Sequence, residues 1–296
     1  MGKTITVLSV SYRSGQHLGR LFKNIYDKAK HPDSLQFVVV DNTNGEDREL
    51  KNHFLPSFDI NFSYNNGKGL QRSVSHANAL DIGLENLDTD YTLIIDPDVH
   101  IFNKGWDQLC IDSIENEKKA VIGAPYPSWK LGKVHDYPSV VFMFFRTKQI
   151  QNSDESFYPF PDLFKQFVNS GLRKLTRLGF FASKSKLDNY KRLRTITKWL
   201  EEITGITSPD TGNKIIEFFR KERYIAFNFE APYSKNLELS GHATKSILAK
   251  EFEYYSYNNK PIMTHMYGSG VFHWKTKKGS DIEYWKSLIK KVELKL

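Results

Sequence analysis

The chain is 296 residues long, the size of one large α/β domain or two small ones, and its 40% hydrophobic and 26% charged content is not that of a disordered polymer. Eighteen Gly and eleven Pro exclude collagen-like and linker-rich architectures, and a single cysteine, Cys110, excludes a disulfide-stapled scaffold. The formal charge of +8 is concentrated: between Lys165 and Lys198 ten Lys or Arg residues face one acid, Asp188, and the rest of the chain is near neutral.

No apolar run approaches the roughly 20 residues needed to cross a bilayer, and the opening MGKTITVLSV lacks the long apolar core of a signal peptide. The expectation is a soluble cytoplasmic protein, with Cys110 in WDQLCIDSI a buried small hydrophobe.

In chain order, Thr4–Tyr12 is rich in β-branched residues and predicts a strand. Leu18, Leu21, Phe22, Ile25, Tyr26 and Ala29 recur at helical spacing and predict a helix over His17–Ala29, closed by Pro32. Leu35–Val40 is a continuous apolar run, as in a strand buried on both faces. A short strand over Ile60–Tyr64 and a helix over Ser73–Asn86 follow, with Val74, Ala77, Leu80 and Leu84 on one face. Tyr91–Ile95 is another buried strand, ending in Asp96-Pro97-Asp98.

Strand–helix–strand order at this spacing predicts parallel βαβ units and a sheet covered on both faces. Ligands of such sheets bind beyond the carboxyl ends of the strands. Tyr12, Asp41-Asn42, Asn65-Asn66 and Asp96/Asp98 should therefore share one rim. Further on, Val121–Tyr126, Ser139–Arg146 and Arg223–Phe229 read as strands. Leu187–Ile203, Thr211–Glu222 and Ile282–Val292 read as helices, and the Gly-rich stretch Pro261–His273 reads as loop. No linker or repeat is visible, so one continuous domain is expected, with residues 1–100 as its first half and 101–296, including the C-terminal helix, as its second.

Two carboxylates one residue apart after a buried strand, stiffened by Pro97, suit a hard divalent cation such as Mn²⁺ or Mg²⁺. Arg72 and His76 lie four apart at a helix start, a place for a diphosphate or for hydroxyls, or else for a solvated Arg and a packed His. Asp41-Asn42 is also good turn chemistry, and Asp210 in Ser-Pro-Asp-Thr-Gly is also an ordinary helix N-cap.

Taken together, VSYRSGQHL, VVVDN, NNGKGLQRSVSHANALDIGL and TDYTLIIDPDVHIF resemble the GT-A glycosyltransferases, most closely the family 2 group of inverting enzymes. The resemblance covers about residues 4–106. It implies an α/β fold of GT-A type, a mostly parallel central sheet flanked by helices. Its first half would bind a nucleotide-sugar donor and its second half an acceptor, a glycan or a lipid-linked saccharide in cell-surface polysaccharide or glycolipid assembly.

Carried onto this chain, the resemblance assigns Tyr12 and Asp41 to the nucleotide base and ribose. Arg72 and His76 fall to the diphosphate or sugar. Asp98 becomes a ligand of Mn²⁺ or Mg²⁺, and Asp96 a ribose or water-mediated metal contact. His100 stands apart from the metal. A third metal ligand is expected at His265, in His-x-x-Gly, rather than at His273, which lies in apolar VFHW. The general base of an inverting transfer is expected at Asp210, ahead of Asp162 and Glu230.

Two rivals are weaker. A sugar-phosphate nucleotidyltransferase would carry a glycine cluster where Ser-Tyr-Arg-Ser-Gly stands. A nucleic-acid binder would use the basic segment, whose neighbours Phe180, Phe181, Tyr190 and Trp199 could stack on bases, yet no binding motif accompanies them, so no nucleic acid is expected. The basic segment Lys165–Lys198 fits peripheral contact with an anionic membrane face or an anionic acceptor.

Overall fold

The computed structural model describes residues 2–160, 183–204, 210–266 and 281–296. The chain forms two compact units: Met1–Ala124 with Asp136–Pro161 and Asp210–Asn228, and Pro125–His135 with Asp162–Pro209 and Phe229–Leu296.

The first unit contains β1 (Ile5–Ser11), α1 (Gly15–Lys28), β2 (Leu35–Asp41), β3 (Ile60–Tyr64), α2 (Arg72–Leu84), β4 (Tyr91–Ile95), β5 (Val99–Ile101), α3 (Trp106–Ile114), β6 (Ala120–Gly123), β7 (Phe142–Arg146), α4 (Thr147–Gln151), a helix over Asn213–Lys221, and β8 (Ile225–Asn228). Seven strands make one mixed sheet in the order β3-β2-β1-β4-β7-β6-β8. The pairs β1/β2, β1/β4, β2/β3 and β6/β8 are parallel, and β7 runs antiparallel to both its neighbours. The expected α/β fold with a mostly parallel central sheet flanked by helices is the fold observed.

Every residue of β1 and β4 is buried, which is why both read as unbroken apolar runs rather than as alternation. One core joins Leu8, Val10, Val38, Val40 and Ile94 of the sheet to Ala77, Leu80 and Leu84 of α2 and to Ile215 and Phe219 of the later helix. Gly83 lets α2 approach closely: a Cβ there would meet Leu8 Cδ1 at 2.4 Å and Val40 Cγ2 at 2.9 Å. On the other side α1 buries Leu18, Leu21, Phe22 and Ile25, with Phe22 and Phe37 ring centroids 4.6 Å apart.

Helix α3 holds Cys110 buried as expected, and its first turn ties off α1. The fully buried Asp107 carboxylate accepts from the Lys30 and His31 N–H groups at 2.7 and 2.8 Å, and the Trp106 indole donates to the Ile25 carbonyl at 3.0 Å.

In the second unit, β9 (Glu253–Tyr257) and β10 (Lys260–His265) form an antiparallel hairpin turned through Asn258 and Asn259, both at positive φ. That geometry suits Asn and corrects the expectation of loop over Pro261–His265. Met266 follows the strand, and residues 267–273 of that stretch lie outside the described set. The helix expected over Leu187–Ile203 is two helices, Lys184–Asn189 and Lys191–Thr204, parted at an extended Tyr190. The Arg194 guanidinium donates to the carbonyls of Leu187 and Asp188, and the Asp188 carboxylate accepts from Ser234 and the Lys235 N–H. These bonds take up groups that a continuous helix would use. Among the described residues of the unit, helices Ser234–Leu239, Ala243–Glu251 and Ile282–Glu293 follow, the last burying Trp285, Leu288, Ile289 and Val292. No helix among the described residues is long and apolar enough to cross a membrane.

Removing the Asp107 carboxylate takes the acceptor from two part-buried N–H groups. Asp107→Ala should lower unfolding free energy by about 2–3 kcal/mol, a loss that urea denaturation would register. Unchanged stability would show that the α1–α3 junction is satisfied another way.

Candidate active site

Because β1, β2, β3 and β4 are parallel, their carboxyl ends lie along one edge, with Ser11 level with Asp41 and Asp41 level with Tyr64. The structure thus brings Tyr12, Asp41-Asn42, Asn65-Asn66 and Asp96/Asp98 to one rim, as the sequence predicts. The start of α2 is stitched to the same edge. Asn42 donates to Ser75 Oγ at 2.7 Å, and Asn65 donates to Asn42 Oδ1 at 2.7 Å and to the Ser75 carbonyl at 3.1 Å. Arg72, the first residue of α2, is therefore carried to the rim with its side chain exposed.

Asp41 behaves as the turn residue that its sequence also allowed. Its carboxylate is 1% exposed and accepts from Thr43 N–H at 2.9 Å, Thr43 Oγ1 at 2.6 Å and Gly45 N–H at 2.9 Å. It shapes the loop after β2, whereas Tyr12 after β1 is 65% exposed and presents its ring to solvent.

Asp96 and Asp98 are half-buried, and the Asp96 N–H donates to the Val141 carbonyl at 3.2 Å. The segment that follows them is clamped by α1. Arg20 donates to the Val99 carbonyl at 2.6 Å, and Asn24 both accepts from the Ile101 N–H at 2.7 Å and donates to the Ile101 carbonyl at 3.1 Å. Burial pushes the Arg20 guanidinium down to about 10, and the negative charge of Asp98 works against that shift. His100 Nδ1 lies 3.5 Å from Arg20 Nη1 and its ring meets Phe102 edge-on, so the structure gives His100 a packing role in this clamp. Arg20 and Asn24 were missed at the sequence level: they are the polar residues of an amphipathic helix, and the only hint was their place one turn apart beside the apolar stripe.

Asp210 does not cap the following helix. Gly212, at positive φ, occupies the N-cap position. The Asp210 N–H donates to the Pro159 carbonyl at 3.2 Å, and Thr211 Oγ1 donates to the Ser73 carbonyl at 3.2 Å, which ties this loop to the first turn of α2. Asp210 is close enough to His76 to act on its charge. Loss of solvent pushes the His76 imidazole down to about 4, and Asp210 opposes that only in part. His76 is thus neutral near pH 7.

In the second unit His265 ends β10, 2% exposed, with Nδ1 2.8 Å from Glu253 Oε2. Glu253 also forms a buried ion pair with Lys130, whose side chain is fully enclosed. The Tyr255 hydroxyl lies 3.2 Å from the same carboxylate. Burial pushes the Glu253 carboxyl up, but Lys130 and the His265 hydrogen bond outweigh it and hold the group below the usual carboxylate range. Neither Lys130 nor Glu253 carried a signal in the sequence. Of the other base candidates, Glu230 is exposed in the second unit and Asp162 lies outside the described residues, as does His273.

No family model matches the chain, and no curated protein matches it. Among solved structures it is similar to S. aureus TarS residues 1–349, at 18% identity and a TM-score of 0.38 over 52% of this chain and 50% of that one. The same protein in complex with UDP-GlcNAc matches at 17% identity and a TM-score of 0.39, over 52% and 48%. The mannosyltransferase PcManGT from Pyrobaculum calidifontis, in complex with GDP-Man and Mn²⁺, matches at 12% identity and a TM-score of 0.44, over 85% of this chain and 89% of that one. The chain spans about half the length of the TarS 1–349 structure it matches.

Acid should weaken the first unit through His76. The unfolded imidazole gains its proton near 6.5 and the folded one only near 4, so this contribution is intact above pH 6.5 and is lost as pH falls toward 4. The slope is at most roughly 1.4 kcal/mol per pH unit. Asp81 has the opposite sign: burial raises its carboxyl from 3.8 to about 6, so its contribution is lost as pH rises through that window. Urea titrations of His76→Gln between pH 4 and 7 should show a shallower loss toward acid than the unmutated chain. Equal slopes would mean that His76 titrates in the fold as it does in water.

Proposed function

We propose that the chain is a metal-dependent, inverting glycosyltransferase that moves a sugar from a nucleotide-sugar donor to an acceptor hydroxyl. The observation that carries this reading is the Asp96-Pro97-Asp98 segment at the carboxyl end of β4 in the parallel run β3-β2-β1-β4, followed by a stretch that Arg20 and Asn24 hold in place. The motif resemblance over residues 4–106 supplies the class of reaction.

The metal ligands in this reading are Asp98 and His265, with Asp96 reaching the metal through water or meeting the ribose. Carboxylate oxygens and an imidazole nitrogen are donors that suit Mn²⁺ or Mg²⁺. The Nδ1 contact with Glu253 is the outer support that a ligating histidine ordinarily has, and ligation would then be through Nε2. A bound Mn²⁺ or Mg²⁺ would supply positive charge against the donor diphosphate.

The chain's own residues supply the rest. The exposed Tyr12 ring offers a face for the base. The loop shaped by Asp41 borders the ribose. Arg72, at a helix start, suits the diphosphate, where backbone N–H groups and guanidinium attract the same charge. Neutral His76 can hydrogen-bond to a sugar hydroxyl without adding charge. Asp210 is the base: its carboxylate takes the proton of the acceptor hydroxyl as that oxygen bonds to the anomeric carbon. The bond to the diphosphate breaks on the opposite face, the diphosphate leaves with the electron pair, and the configuration inverts. The acceptor is a glycan or lipid-linked saccharide.

Two variants separate the parts of this reading. Asp98→Asn should leave thermal unfolding unchanged while calorimetry shows that Mn²⁺ no longer strengthens binding of nucleoside diphosphates. Equal affinities with EDTA and with Mn²⁺ in the unmutated chain would remove the metal from the reading. Asp210→Asn should bind donor normally but transfer sugar at least about a hundredfold more slowly. Full transfer activity in this variant would exclude Asp210 as the base.

A further inference from the structure

The helix Lys191–Thr204 shows two faces of different character. Its inward side is well anchored: Thr197 is buried, Leu193 packs against the cluster of Trp129, Leu131 and Leu187, and the Arg194 guanidinium stacks 3.8 Å from the Tyr233 ring centroid. Glu201 also turns inward, accepting from the Gly132 N–H and lying 3.5 Å from His135 Nε2. The outward side carries Ile196, Trp199 and Ile203 at positions i, i+3 and i+7, which share one face of a helix. They are 49%, 57% and 62% exposed. Tyr190, just before the helix, is 63% exposed.

Three large apolar side chains in a row along an outward face are unusual on a helix that meets only water. Charge identifies the occupant. Arg192 lies one turn before Ile196 on the same face, and the exposed Lys191 and Lys198 flank the stripe. The one acid on this side, Glu202, lies 3.8 Å from Lys198 in an exposed pair, and such pairs hold little energy. The first part of the helix, Lys191–Lys198, closes the segment that holds the chain's positive excess. An apolar stripe containing Trp and rimmed by Lys and Arg matches the boundary between acyl chains and anionic headgroups, where the ring sits at the interface and the long cationic stems reach outward.

We propose that the outward face of Lys191–Thr204 docks on a bilayer surface bearing anionic lipids, with Ile196, Trp199 and Ile203 entering the headgroup boundary and Lys191, Arg192 and Lys198 meeting the lipid phosphates. The contact is peripheral and independent of the donor reading.

The test is co-sedimentation of the full chain with phosphatidylcholine vesicles, with and without phosphatidylglycerol. Binding should require the anionic lipid and should weaken as salt rises. Replacing Ile196, Trp199 and Ile203 together with Asn should reduce vesicle affinity by about tenfold or more at an unchanged melting temperature, because these side chains point outward. Replacing Lys191, Arg192 and Lys198 with Gln should weaken binding and flatten its salt dependence. Brominated lipid should quench tryptophan emission in the unmutated chain, and the quenching should be much smaller in Trp199→Phe. The proposal is overturned if the unmutated chain ignores anionic vesicles, if the Asn variant binds as well as the original, or if quenching is the same without Trp199. It is also overturned if dextran sulfate binds the chain at the same face while vesicles do not, since the partner is then a soluble polyanion.

Discussion

The parallel run β3-β2-β1-β4 is the constraint on which the candidate site depends. Parallel strands joined through helices end at one edge, and their terminal backbone groups must find partners there. The pairing continues past the strands: the Asn42 N–H donates to the Ser11 carbonyl at 2.8 Å and the Asn65 N–H to the Asp41 carbonyl at 2.9 Å. Ser9 Oγ bonds the Ile95 carbonyl at 2.7 Å, just before the paired carboxylates. Positions that follow four separate strands are thus fixed by the same ladder that holds the core. The carboxylates inherit their placement from it, and Arg20 and Asn24 of α1 fix the chain beyond them.

Among the described residues, buried charge is answered in several ways. Glu253 and Lys130 are enclosed together, and each would be costly alone. Lys184 is pushed down to about 8 by burial, held up by Glu253 and Asp188, and donates to the Phe252 carbonyl at 2.7 Å while lying over the Trp129 ring. Asp107 is paid for by two N–H donors rather than by a cation. His76 takes the other route: its environment keeps the neutral form, so no partner charge is needed. His265 and His76 therefore sit in opposite settings, the first against a carboxylate that stays ionised and the second in a site that rejects a proton.

How much of this was legible in the sequence follows from the range of the interactions involved. Periodicity is local, so β1, β2, β4, α1 and the C-terminal helix could be read directly from apolar spacing, and the shared rim followed from strand–helix alternation. The break at Tyr190 could not, because it is made by Arg194 reaching back to Leu187 and Asp188 while Ser234 and Lys235 hold Asp188 from far along the chain. The hairpin β9–β10 had a local sign, Asn258-Asn259, which was outweighed by the glycines further on. The Glu253 carboxylate that supports His265 across the β9–β10 pairing is itself answered by Lys130, more than a hundred positions earlier, and such pairing leaves no trace in spacing.

The rim also divides its residues by the work they do. Asp41, Asn42, Asn65 and Ser75 are buried and spend their hydrogen-bonding capacity on each other and on the loops, so they set shape. Tyr12 and Arg72 are exposed and anchored only through their backbone elements. Preorganisation favours such a division, because a rigid floor has already lost the entropy that a ligand would otherwise have to offset, while exposed side chains meet the ligand with little rearrangement of the core. Asp41 illustrates the consequence. Its carboxylate holds Thr43 and Gly45 in the loop after β2, so substitution there would act first through loop order.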